Sequence, residues 1–232
     1  MRPKATEEDI QFILDALEGY LSVKVRRSDV KSAWSGIRPL ALDPNETDTS
    51  NALRDHVVFV EKDGMVTITG GKWTTARRMA EDCVNRAASL ANLHYSPCKT
   101  STLRLHGYVK GTMPNRYEPG VYWSKPCTDV YGSDRIELEG LARSNPIFRN
   151  PILDDWPGLR AAEIIWAVRH EMARTVEDVL ARRCRLLFLD TRKAELAAPA
   201  VAEIMARELH RGADWVEQQV QDFQKLLESY RI

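Results

Sequence analysis

Residues 56–75 read HVVFVEKDGMVTITGGKWTT, and this stretch constrains the fold more than any other. His56–Glu61 and Met65–Thr69 are short runs rich in β-branched and aromatic residues. Lys62-Asp63-Gly64 between them is a hairpin signal. Gly70-Gly71 follows at once, and a helical pattern opens at Trp73-Thr74-Thr75 and runs to about Leu90. The order is strand, strand, tight glycine turn, helix.

Helical periodicity frames this unit on both sides. Thr6 with Asp9 makes a capping-box pattern, and Ile10, Ile13, Leu14, Leu17 and Leu21 follow at helical spacing. Residues 30–37 read as a short strand ending at Pro39, and 41–51 as a polar loop. Residues 92–157 hold most of the chain's prolines and scattered aromatics, and read as a linker with short helices. After Gly158 come Ala161–His170, a short helix capped by Thr175 and Asp178, then Ala194–Leu209 and Ala213–Tyr230. Short helices with short connectors point to an all-α bundle. The expected division is therefore 1–91, 92–157 and 158–232.

Composition serves to exclude. With 33 basic and 33 acidic residues the formal net charge is +0, which lacks the footprint of a dedicated nucleic-acid binder. No run approaches the ~20 apolar residues of a membrane-spanning helix, and the first ten residues hold no apolar signal core. Cys83, Cys98, Cys127 and Cys184 are far apart, with no C-x-x-C pair, so free thiols and no metal site are expected.

Three groups of residues can carry chemistry. In Gly70-Gly71-Lys72-Trp73-Thr74-Thr75 a helix start presents unpaired N–H groups beside a lysine, with glycines that let a ligand approach. That suits a phosphate or the electron-rich edge of a reduced flavin. A plain strand-to-helix turn, with glycine for shape and threonine as cap, fits the same residues. Arg38, before Pro39, is held on a stiff segment suited to bidentate contact with an oxyanion, or equally to a surface salt bridge. Arg54-Asp55-His56 reads as a further cation or as an exposed ion pair. Elsewhere, His170-Glu171 lacks the second histidine of a zinc helix, Arg182, Arg183 and Arg185 read as a solvated or ion-paired helix face, and Met172 and Met205 read as core. No G-x-G occurs, so the dinucleotide-binding fingerprint is absent from these 232 residues.

Taken in order, AWSGIRPLALDP, RDHVVFVEKDGMVTITGGKWTTARRMAEDCVNRA, PCKTSTLRLHG, WAVRHEMARTVEDVLARRCRLLFLD and AAPAVAEIMARELH resemble the FAD-dependent, mitochondrial-type glycerol-3-phosphate dehydrogenases. The G-x-R-P and G-G-K-x-T-T pieces alone indicate the broader amine-oxidase-like flavoproteins; the arginine-rich segment narrows the resemblance. It implies an α+β fold class: a residual C-terminal piece of an FAD/substrate-binding domain in 1–91, then an all-α domain in 158–232. It implies FAD as cofactor, with Gly70, Gly71, Lys72, Trp73, Thr74 and Thr75 at its pyrimidine edge. Arg38, Arg54 and Lys72 then grip glycerol 3-phosphate, Arg38 and Arg54 being the catalytic pair. It further implies ubiquinone as acceptor and a peripheral place at the mitochondrial inner membrane. Lacking the fingerprint, the chain by itself is expected to be inactive. The chain ends without the EF-hand tail of animal members, so calcium is not expected. Two other readings remain: a related flavoprotein such as an amino-acid oxidase, and a non-catalytic helical interaction module.

Overall fold

The computed structural model describes residues 3–37, 55–110 and 128–232. Compactness separates two units, residues 37–105 and a body made of residues 1–36 with 106–232. These limits differ from the sequence divisions after 91 and 157, because the first helix belongs with the C-terminal body.

Helix α1 (Glu7–Glu18) opens the body. Its capping box forms as expected: Asp9 N–H donates to Thr6 Oγ1 at 3.1 Å, and Thr6 N–H to Asp9 Oδ2 at 3.2 Å. The strand expected at 30–37 does not form. Its backbone groups are taken by helix ends instead: Thr191 N–H donates to Lys31 O at 3.1 Å, and Ala33 N–H to Tyr230 O at 2.9 Å. Ser32 Oγ adds a bond to Leu187 O at 2.9 Å. An extended segment tied to helix termini needs no ladder partner.

The second unit is the hairpin and its helix. β1 (His56–Val60) and β2 (Val66–Gly70) pair antiparallel, with His56 opposite Gly70 and Val60 opposite Val66. Gly64 takes φ +90° in the connecting turn, and its N–H donates to Glu61 O at 3.0 Å. A single 3₁₀ turn (Trp73–Thr75) leads into α2 (Ala76–Leu90). Asn92 ends that helix in the left-handed region at φ +51°, and Leu93 N–H closes back on Ala88 O at 2.9 Å. None of this unit's described residues is buried.

The rest of the body is mainly helical. It runs through α3 (Arg135–Ser144), α4 (Pro146–Arg149), the hairpin β3 (Pro151–Leu153) and β4 (Trp156–Arg160), and α5 (Ala161–His170). A π-helical turn (Asp178–Arg183) then leads to α6 (Leu186–Leu189), α7 (Thr191–Leu209) and α8 (Ala213–Leu227). Residues 128–157 are thus more than a linker. Leu138 and Ala142 of α3 pack with Ala162 and Trp166, and Ile152, Leu153 and Trp156 of the β3–β4 hairpin pack on the main core. The reading of 92–157 as a linker with short helices missed this hairpin, because three- and five-residue strands holding Pro151 and Pro157 are too short to show alternation. The main core gathers Ile164, Leu180, Leu186, Leu187, Val201, Met205 and Leu227, all fully buried. Met205 is core as expected. Met172 is not: it is 77% exposed at φ +60°, on the turn that leaves α5.

Arg160 is the body's buried cation. Its guanidinium bonds Glu163 Oε1 at 2.6 Å and Glu139 Oε1 at 2.9 Å, which offsets the cost of burying the charge. Among the described residues, no helix is long and apolar enough to cross a membrane, and no cluster of three metal-ligating side chains occurs. Cys83, Cys98 and Cys184 are free thiols, as expected.

Candidate functional site

The strand-to-helix turn is shaped by two glycines that only glycine satisfies well. Gly70 and Gly71 take φ +77° and +72°. A Cβ on Gly71 would lie 2.6 Å from Met79 Sδ and 3.2 Å from His56 Cβ. The glycine therefore lets the first turn of α2 sit close on β1, and its bare face is turned inward, toward protein. Lys72 is extended, with φ −130° and ψ 153°, and its side chain is exposed.

Thr75 closes the turn on itself. Its Oγ1 accepts from Lys72 N–H at 3.2 Å and donates to Lys72 O at 2.9 Å, while its N–H donates to Lys72 O at 2.9 Å. That hydroxyl is spent internally. Lys72, Thr74 and the 92% exposed Trp73 are open to solvent, and the N–H groups of Trp73 and Thr74 belong to the first turn of a helix, where donors have no helical partner. The internal bonds of Thr75 and the inward face of Gly71 are what a plain strand-to-helix turn requires, and they leave Lys72 and Trp73 exposed beside it. The N–H groups of a helix start, its dipole and a lysine are the kind of donor set an anionic edge requires, so the residue types here fit the electron-rich side of a flavin.

Beneath the turn lies a pair that the local sequence pattern does not announce. His56 Nε2 is 2.9 Å from Asp82 Oδ2 on α2, across 26 residues of chain. His56 Nδ1 lies 3.0 Å from Asp55 Oδ1, near enough for charge attraction but outside hydrogen-bonding geometry. Arg78 holds the other oxygen of Asp82 at 3.2 Å. The hairpin and α2 are therefore tied by polar contacts as well as by Met79.

The structure brings together Gly70, Gly71, Lys72, Trp73, Thr74 and Thr75. Arg38 and Arg54 lie outside the described residues. Cys184 offers no alternative nucleophile, since burial pushes its thiol up to about 11 and leaves it protonated near neutrality.

Residues 98–219 match the family described as the C-terminal domain of alpha-glycerophosphate oxidase. The chain belongs to that family. Over 99% of its length it is 41% identical to a mitochondrial glycerol-3-phosphate dehydrogenase of Arabidopsis thaliana, of which it covers 39%. It is 39% identical to the human mitochondrial glycerol-3-phosphate dehydrogenase over 90% of this chain and 30% of that protein. The chain thus spans between 30% and 39% of these relatives' length. A glycerol-3-phosphate dehydrogenase from Bacillus halodurans, solved in complex with FAD, superposes with a TM-score of 0.72 at 24% identity, covering 99% of this chain and 46% of the solved one. That likeness speaks for the fold, an α+β C-terminal piece. The family match starts after the Gly70–Thr75 turn, whereas the similarity to the plant enzyme extends over 99% of the chain.

Proposed function

We propose that this chain forms the C-terminal part of a flavin-linked glycerol-3-phosphate dehydrogenase, which oxidises glycerol 3-phosphate to dihydroxyacetone phosphate. The observation that carries the reading is the 41% identity to such an enzyme over 99% of the chain. When bound, FAD accepts the hydride released from C2 of the substrate. The residues of this chain bind and orient. Lys72, with Arg38 and Arg54, neutralises the phosphate and grips the hydroxyls, so that C2 is held in one pose. The N–H groups at the start of the α2 segment favour negative charge on the flavin edge set against them. None of these cations serves as general base for the C2 hydroxyl: an arginine stays protonated at any working pH, and a lysine paired with phosphate favours its charged form.

The same reading sends the electrons to ubiquinone, with the protein peripheral to the mitochondrial inner membrane; the relatives' designation as mitochondrial supports the compartment. The test expresses this chain joined to the preceding segment of the plant relative, and assays glycerol 3-phosphate, D-amino acids and a soluble quinone. Glycerol-3-phosphate-dependent quinone reduction with bound FAD is expected. Turnover of amino acids in preference to glycerol 3-phosphate would overturn the reading. The 232 residues alone are expected to bind no stoichiometric FAD.

A further inference from the structure

The arginine-rich segment singled out in the sequence lies outside the proposed chemistry, yet three independent features converge on it. First, Asp178–Arg183 is a π-helical turn, in which Cys184 N–H reaches back five residues to Val179 O at 3.0 Å. Such wide turns are uncommon and recur at functional sites. Second, Arg185 follows it in the left-handed region at φ +57°, a conformation that a side chain with a Cβ adopts only under constraint. Third, both border a cavity of about 180 Å³ whose lining includes the apolar Trp156, Leu159 and Val179 and the cations Arg182, Arg183 and Arg185.

The charges around this cavity do not cancel. Arg182 is paired with Glu177 at 2.8 Å and Asp178 at 3.0 Å, and Arg183 with Glu171 at 3.3 Å. Glu163, also on the wall, is committed to Arg160. Arg185 has no carboxylate partner among the described residues. Arg185 is solvent-exposed at the cavity's edge, so one guanidinium without a carboxylate shares the lining with Leu159 and with Trp156, whose ring also carries Lys193 Nζ 5.4 Å from its centroid. Sites for drug-sized ligands run to roughly 300–1,000 Å³, so this one admits only a small molecule.

We propose that this cavity binds a small organic monocarboxylate with a flat apolar body, its carboxylate on Arg185 and its body against Trp156 and Leu159. A single uncompensated charge matches a monocarboxylate. A phosphate monoester, carrying about −1.5 to −2 at neutral pH, would be left partly unpaired in a half-apolar site. The cavity is lined by none of the residues of the Gly70–Thr75 turn, so the proposal stands or falls independently of the dehydrogenase reading.

Ligand-observed NMR titration of the 232-residue chain with benzoate, and separately with inorganic phosphate, tests it. Arg185→Gly removes the guanidinium and relieves the left-handed backbone, so its thermal midpoint should stay equal or rise. The expected result is saturable benzoate binding that weakens about tenfold or more in Arg185→Gly, with phosphate the weaker ligand throughout. If the glycine variant melts early, Arg185→Lys decides: it keeps the charge but loses the fork, and benzoate affinity should fall several-fold. Absence of saturable benzoate binding, unchanged affinity in the variants, or tighter binding of phosphate would overturn the assignment.

Discussion

The hairpin unit and the helical body solve the folding problem differently. Every buried apolar residue of the described chain lies in the body, where α5, α7 and α8 close around Leu180, Leu187 and Met205. The unit of residues 37–105 has no buried residue among those described; their contacts include a five-residue strand pair, the close seat of Gly71 on Met79, and the His56–Asp82 contact. A two-stranded hairpin with one helix buries too little apolar surface to be stable unaided. The turn that carries the candidate chemistry thus sits on the weaker scaffold, and the stable body carries none of the residues proposed to touch substrate. On the proposed function, stability and substrate contact fall in different parts of the sequence, and mutations should separate them.

The largest separation is expected from the core. Leu187→Ala should lower global stability by about 2–5 kcal/mol, because a fully buried side chain leaves a cavity among packed helices. Val58→Ala, in a half-buried strand position, should cost under about 1 kcal/mol, and urea melts of the two variants compare them directly. Equal losses would erase the contrast. Next comes Gly71→Ala, which meets Met79 and His56 and strains a φ of +72°. It should cost about 1–3 kcal/mol, confined to the hairpin unit. Hydrogen exchange should speed up in residues 56–70 and stay unchanged in α7; faster exchange in α7 would show the two units to be one cooperative block.

A smaller effect concerns the cap of the π-helical turn. Burial opposes ionisation of Asp178, but N–H groups of Arg174 and Thr175, with Arg182 nearby, hold its pKa below the ordinary 3.8. A folded pKa below the unfolded one gives stability that is full above pH ~4 and disappears as pH falls through the folded value. Asp178→Asn should therefore lose about 1 kcal/mol near pH 7 and flatten the acid limb of the stability–pH curve. Glu171 runs the other way: burial raises its pKa, so its contribution favours the fold at acid pH and fades as pH rises through the unfolded and then the folded value. The smallest effect is at Met172, which is exposed, so Met172→Ala should stay within about 0.5 kcal/mol.

What the sequence revealed follows the range of the signals. The capping box at Thr6, the β1–β2 hairpin, and helices α5, α7 and α8 are all local, and periodicity or turn residues show them directly. The 30–37 segment misled because it is extended for another reason: the backbone of Lys31 and Ala33 bonds the ends of α7 and α8 some 160 and nearly 200 positions away. The β3–β4 hairpin hid behind its prolines. At the site, the six-residue turn was legible because glycine, lysine and threonine act over one helical turn. The His56–Asp82 tie was not, since nothing in local spacing connects residues 26 apart. Met172 was misplaced because residue type says little about a side chain on an exposed left-handed turn.

The central claim, that the exposed lysine of this turn serves substrate binding rather than stability, is tested most directly at Lys72. Its side chain is exposed, so Lys72→Ala should leave the thermal midpoint unchanged. In the protein that joins this chain to the preceding segment, the KM for glycerol 3-phosphate should rise about 10- to 100-fold, the loss expected for one charge-assisted contact to phosphate. An unchanged KM at an unchanged midpoint would contradict the account.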